Sequence, residues 1–522
     1  MKYFSYLIIV LFLFQSCQSQ ETIDTVISTD QGEVKGVFNS ETGIYSYKGI
    51  PFAKAPAGDL RWKAPQSVDE WEATFEATEF GAICMQGEPI PFSMWTQEFI
   101  APAGNMSEDC LNLNIWTKEG VVNSNRPIIV FIHGGGFSSG SGSVPIYNGE
   151  NMAAKDVVFV TINYRVGILG FLAHPELTEE SPNNVSGNYG LMDQIAALEW
   201  VQNNISNFGG DPNNVTIAGQ SAGSFSVNYL VASPLASGLF QRAIAESGAA
   251  LLPAARLTMD NTLSSAEERG LDADSSLGVS GVSELRELPA DSILKAQGQF
   301  GAPVIDGYVI PDQIYTLFEE GNYNDVPLLT GWNEDEGFSF GPPPTAKQFR
   351  QNIQNQFGEN ADEVLELFPA ETDSAARRSQ KDLSMLNTFG LQNWKWVQMQ
   401  NETGNSPVYL YHFTRDVPYT DEQQDFGAFH TGEVPYAYNT LHTSDRPWEV
   451  VDRVLAETMS SYWVNFAEDG DPNGEGLPQW PVAKPDDYQT IFFGDSLHVE
   501  EVPMREQLEL LDRIYSVRLD QE

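Results

Sequence analysis

The 522 residues carry 28 Lys and Arg against 72 Asp and Glu, a formal net charge of −44, with 41% apolar residues. That apolar content is ample for one large core. The acidic balance, spread along the chain, excludes nucleic acid as a partner, because phosphate binding needs clustered basic side chains, and gives a solvated, soluble surface.

The chain starts Met1-Lys2, followed by an apolar run from Tyr6 to Phe14 and then Gln15-Ser16-Cys17. The run is too short to span a bilayer as a mature helix. One positive charge, a short apolar stretch and small or polar residues after it make a secretory signal over residues 1–17. Cys17 resembles the lipidated cysteine of a bacterial lipoprotein signal, although Phe14 and Gln15 depart from that pattern. The expected location is therefore outside the cytoplasm, either as a cell-envelope lipoprotein held to the membrane through Cys17 or as a periplasmic or secreted protein. With Cys17 set aside, Cys84 and Cys110 remain, and they can pair in an oxidising compartment.

Thr25 to Phe38 alternates around Gly32 and Gly36 as in an antiparallel hairpin. Tyr45 to Lys54 and Leu111 to Trp116 read as further strands, with an irregular loop rich in Pro, Met and Trp between Cys84 and Cys110. Pro127 to Ile132 is a continuous apolar run, the signature of a central strand. It ends in His133-Gly134-Gly135-Gly136-Phe137. Three successive glycines are entropically expensive, and they make sense if backbone N–H groups must turn toward a ligand. Val157 to Ile162 is the next strand. Leu191, Ile195, Leu198, Val201 and Ile205 then mark one face of a helix between Asn188 and Asn207.

Val215 to Ala218 is a short buried strand leading into Gly219-Gln220-Ser221-Ala222-Gly223, and Ser224 to Val231 reads as a helix. Strand, sharp Gly-x-Ser-x-Gly turn and helix together are the setting of an exposed serine nucleophile. The helix N-terminus beneath it favours a developing oxyanion. Strand, helix, strand in this order implies a mostly parallel sheet with helices on its faces. Ala243 to Gly248 and Val326 to Gly331 add strands, with weakly patterned surface helices between them at about 250–300. Residues 343 to 400 read as helices forming a cap over the site. Val408 to Phe413 is a strand, Val451 to Phe466 a long amphipathic helix, and Ile491 to Phe493 with a helix around Leu508 closes the chain.

A serine nucleophile needs a base and the base an orienting carboxylate. Among the six histidines, His133 and His174 precede Ser221, His412 sits within a strand, and His442 and His498 lack a glycine-rich setting. His430, on a loop after a strand, is the best base. Asp335 and Glu336 both follow an apolar strand, and chemistry alone leaves the choice of acid between them open.

The chain resembles the type-B carboxylesterase and cholinesterase family of α/β-hydrolases over about residues 25 to 515. The likeness rests on Lys48-Gly49-Ile50-Pro51-Phe52-Ala53, Ser107-Glu108-Asp109-Cys110-Leu111-Asn112-Leu113-Asn114-Ile115-Trp116, the His133 to Phe137 and Gly219 to Gly223 stretches, Asp335-Glu336-Gly337 and Phe466-Ala467. The resemblance implies an α/β-hydrolase fold. It also implies a serine esterase that works through an acyl-enzyme on a small-molecule ester, with no cofactor and no metal. It favours Glu336 as the triad acid and fits His430 as the base. It places the oxyanion donors on Gly135, Gly136 and Ala222, and it implies a disulfide between Cys84 and Cys110. A lipase, a carbohydrate-ester hydrolase or a catalytically silent adhesion member are the alternatives within the family. Two features depart from it. Gln220 stands where relatives carry glutamate, and Met94-Trp95, similar to the aromatic cation site of cholinesterases, lies farther from Cys110 than in those enzymes.

Overall fold

A strand whose residues are apolar without interruption must bury both of its faces, and the central strands here do so. Ile128 to Ile132 are all fully buried. Ile128, Val130 and Ile132 point into one apolar layer while Ile129 and Phe131 point into another, as the two-residue period of a strand requires. The computed structural model describes residues 25–519 apart from 119–123, 253–260, 297–299, 301, 338–341, 421–422 and 486; the expected signal and Cys17 lie outside the described residues.

These strands belong to an eleven-stranded sheet. From one edge to the other its strands are His498–Glu501, Gln489–Phe493, Val408–Phe413, Leu328–Asn333, Arg242–Glu246, Gly210–Gln220, Arg126–Ile132, Val158–Ile162, Asn112–Lys118, Ile44–Pro51 and Val37–Asn39. The run from Gln489–Phe493 to Val158–Ile162 is parallel throughout, and the outer strands are antiparallel. Helices Tyr189–Asn204, Ala222–Ala232 and Leu391–Thr403 fill the layer on one face, and Val450–Asp469 packs in the layer on the other. This is the α/β-hydrolase arrangement.

The N-terminal hairpin is shorter than its alternation suggests. Val26–Thr29 pairs with Gly32–Lys35, but beyond Gly36 the chain crosses to the large sheet, where Val37 opposes Ser46. Any side chain at Gly36 would collide with Ser46 and Tyr47, so the crossing needs glycine. Cys84 and Cys110 are joined in a disulfide. The cap consists of Ala346–Phe357, Ala361–Leu367 and Asp373–Met385, the last joined through a π-helical turn, Leu386–Gly390, to the sheet-packed helix Leu391–Thr403. Among the described residues, no helix is long and apolar enough to cross a membrane.

Candidate active site

Ser221 stands between the strand Gly210–Gln220 and the helix Ala222–Ala232 with φ 56° and ψ −123°. A non-glycine residue rarely adopts this backbone. It is held there by its own N–H, which donates to the Glu246 carbonyl at 2.9 Å, and by its carbonyl, which accepts from Phe225 N–H at 2.9 Å. The turn closes only because Gly219 and Gly223 lack side chains. A Cβ on Gly219 would strike the Gly223 backbone, and one on Gly223 would strike the Ile132 carbonyl. The helix therefore starts directly after Ser221. The Ala222 N–H is among the first-turn donors that have no partner within the helix.

Gly134, Gly135 and Gly136 follow the central strand Arg126–Ile132 and line the same cavity of about 640 Å³ as Ser221 and His430. Gly135 has φ 110°, and a side chain there would collide with Ser139. This loop is locked from outside. Gln86 accepts a hydrogen bond from Gly140 N–H at 2.8 Å through Oε1, while its Nε2 donates to the Gly140 carbonyl at 2.9 Å. Next to the glycines, His133 is fully buried and stacks on Tyr164 at 4.3 Å. Burial lowers its pKa to about 4, so it stays neutral and structural.

His430 Nδ1 lies 2.8 Å from Glu336 Oε2, and both side chains are buried. Glu336 Oε1 accepts from Asn333 N–H at 3.0 Å. Burial raises the Glu336 pKa, and the Asn333 N–H and the Ser247 hydroxyl oppose that shift. Burial also lowers the His430 pKa, to about 4, against a raising effect from Glu433. A neutral imidazole with its proton on Nδ1, facing the carboxylate, leaves Nε2 as a proton acceptor. The amide of Gln220 donates to that Nε2 at 3.3 Å, and Gln220 Oε1 accepts from the Thr431 hydroxyl at 3.4 Å. Phe389, carried on the π-helical turn of the cap, stacks on the imidazole at 4.4 Å and 17°. The Trp95 ring meets it edge-on at 6.3 Å, and Trp95 Nε1 donates to Thr431 Oγ1 at 3.1 Å.

The two adjacent acids point in different directions, and Glu336 is the one that meets the imidazole. Asp335 points away from the imidazole, pairing with Lys381 at 2.6 Å and accepting from Ala428 N–H at 3.3 Å. It ties the cap to the loop that carries His430 and does not reach the ring. The other histidines are engaged elsewhere. His412 Nδ1 donates to the Trp332 carbonyl at 3.1 Å, His174 pairs with Asp274 at 3.1 Å, His442 lies 3.4 Å from Asn151, and His498 stacks on Phe492 at 4.9 Å.

Three residues near Ser221, His430 and Glu336 leave no signal in the sequence. Asn333 holds Glu336 through its N–H and Glu433 through its side-chain amide, a partner 100 residues away. Burial raises the Glu433 pKa to about 7, with Glu336 adding to the shift. Phe389 and Gln86 look like ordinary packing and polar residues, and only their tertiary neighbours give them a place beside the site.

The carboxylesterase family model matches residues 23–511. Fumonisin B1 esterase of Sphingopyxis macrogoltabida is 38% identical over 475 residues, covering 87% of this chain and 83% of that protein. Para-nitrobenzyl esterase of Bacillus subtilis is 33% identical, covering 93% of this chain and 98% of that protein. Liver carboxylesterase 1 of Oryctolagus cuniculus is 33% identical, covering 88% and 87%. A solved PNB esterase structure superposes with a TM-score of 0.79 at 31% identity, over 94% of this chain and 99% of that one.

Proposed function

The chain belongs to the carboxylesterase family and hydrolyses carboxylic esters of small molecules, and from that premise we propose that Ser221 is its nucleophile, His430 its general base and Glu336 the acid that orients the base. In this reading Ser221 Oγ attacks the ester carbonyl carbon as its proton passes to His430 Nε2. The Gly135, Gly136 and Ala222 N–H groups hold the oxyanion. Collapse breaks the bond to the alcohol oxygen, which leaves with the proton from Nε2. Water then attacks the acyl-enzyme by the same route, releasing the carboxylic acid and restoring Ser221. The carrying observation is the 2.8 Å contact between His430 Nδ1 and Glu336 Oε2, which leaves Nε2 as the acceptor side of the ring, in one cavity with Ser221. Ser221→Ala should reduce turnover of p-nitrophenyl acetate on the order of 10⁴-fold or more while circular dichroism stays native. Near-native turnover by the pure variant would overturn the assignment.

The same proposal covers location. The apolar run before Cys17 supports export, with the cysteine lipidated and holding the enzyme to the cell envelope. An acyl mass on the N-terminal peptide, and release of a Cys17→Ala variant into soluble fractions, are the expected results. A wild type that is soluble and carries no acyl mass overturns the anchor.

A further inference from the structure

Among the exposed large apolar side chains of the described residues, Ile90 (62% exposed) and Phe92 (58% exposed) are set apart by their place. Both line the cavity that holds Ser221 and His430. They sit at the tip of Glu88-Pro89-Ile90-Pro91-Phe92, inside the loop closed by the Cys84–Cys110 bond. The root of this loop is fastened firmly. Gln86 clamps it to Gly140, and Trp95 bonds to Thr431 beside the triad base. Farther along, Arg446 fixes it through Glu98 and the Thr96 hydroxyl, each at 3.0 Å. Phe92 and Trp95 exchange two backbone hydrogen bonds at 3.0 Å across a tight turn, with Ser93 at φ 51° and the two rings 4.9 Å apart. Pro89 and Pro91 restrict the backbone on either side of Ile90. A stiff, well-anchored tip that leaves two large apolar side chains in water contributes nothing to the core, but it lowers the entropy cost of binding an apolar ligand.

The geometry also selects the part of the substrate involved. The triad base must hand its proton to the leaving oxygen, so the alcohol portion lies on the imidazole side of the scissile carbonyl. Trp95 meets the imidazole edge-on, and Phe92 is bonded to Trp95. We propose that Ile90 and Phe92 form a lip that recognises the alcohol portion of the ester, selecting uncharged substrates with an extended aliphatic or aromatic alcohol. The proposal rests on the esterase reading of the same cavity and names its substrate class. The volume of about 640 Å³ falls in the range of pockets that take ligands well beyond a two-carbon ester.

The test holds the acyl group constant and varies the alcohol, with ethyl, hexyl and 1-naphthyl acetate followed by pH-stat in wild type, in the double variant Ile90→Ser/Phe92→Ser and in the conservative pair Ile90→Leu/Phe92→Leu. A methylene buried against protein is worth about a fourfold change in affinity. The serine pair should therefore lose about tenfold or more in kcat/KM on hexyl and 1-naphthyl acetate, through KM, and stay within about twofold of wild type on ethyl acetate. The leucine pair should keep the preference. The ratio of p-nitrophenyl hexanoate to acetate, which varies the acyl side, should not change. Equal losses on all alcohols, or an unchanged alcohol dependence, overturn the lip while leaving the esterase reading intact. A wild type that turns over none of these esters overturns the reading beneath it.

Discussion

Gln220 offers a sharp perturbation, because its amide and the imidazole of the proposed base His430 are in contact. The side chain is 1% exposed, and its Nε2 lies 3.3 Å from His430 Nε2. In the wild type that neighbour is a neutral donor. It leaves the ring neutral, and burial holds the His430 pKa at about 4, below the usual 6.5. Gln220→Glu places a carboxylate oxygen at the same distance. A negative charge there stabilises the imidazolium and raises its pKa. At that distance and an effective dielectric constant of about 20, the pair interaction is about 5 kcal/mol, an upper limit of about 3.7 pKa units at about 1.4 kcal/mol each. The new carboxylate is itself buried near Glu433 and Glu336, which pushes it toward its protonated form and consumes part of that energy. A net upward movement of about one to two units is expected. The base must be unprotonated to act. The acid limb of kcat/KM should therefore lie below pH 6.5 in wild type and shift to higher pH in the variant, with kcat/KM near pH 6 reduced accordingly. The profile is measured with p-nitrophenyl acetate from pH 4 to 9, and circular dichroism checks the fold at each end. A limb that stays in place, or moves to lower pH, in a folded Gln220→Glu enzyme would falsify the electrostatic reasoning.

The Cys84–Cys110 bond closes a loop with a sequence separation of 26, for which chain entropy gives about 3.5 kcal/mol. Replacing both cysteines by serine should lower the urea midpoint accordingly, and an unchanged midpoint would contradict that. Glu246 is buried beside Ser221, and its side chain accepts from Trp463 Nε1 at 2.6 Å and the Tyr438 hydroxyl at 3.3 Å. Burial, with Glu433 adding to it, raises its pKa well above the usual carboxylate value. The folded state thus keeps a proton that the unfolded state releases above about pH 4.3, so wild-type stability declines as pH rises toward the folded pKa, by up to about 1.4 kcal/mol per unit. Glu246→Gln keeps an acceptor without this titration. Its stability relative to wild type should therefore increase from pH 5 to pH 8 in thermal melts, and a pH-independent difference would sink the argument.

Much of the fold is legible along the chain because its signals are local. The uninterrupted apolar run Pro127 to Ile132 can only be a strand buried on both faces, and it is. The glycines around Ser221 announce a turn too tight for a Cβ, and the structure shows the carbonyl and backbone they would strike. The spacing of Leu191, Ile195 and Leu198 places a helix that the structure contains, as Tyr189–Asn204. The hairpin at the N-terminus extended too far because alternation cannot show which sheet a strand joins. Val37 continues the pattern but pairs with Ser46 in another sheet.

The site divides along the same line. Ser221 is identifiable by itself, since the strained turn, the helix start and the hydroxyl lie within five residues. Its partners are not, because Glu336 and His430 are 94 residues apart and meet only when neighbouring strands of the sheet bring their loops together. The choice of Glu336 over Asp335 depends on which way two consecutive side chains point at the end of a strand, one toward the imidazole and one toward Lys381. The sequence alone determined the tight strand–turn–helix around Ser221, the glycine turns and the alternating strand and helix order, because hydrophobic period and backbone sterics act over a few residues. Only the tertiary structure decided that Phe389 and Trp95 bracket the imidazole, that Gln220 touches it, and that Ile90 and Phe92 edge the cavity, because burial, ring stacking and charge proximity depend on distances through space that sequence separation does not set.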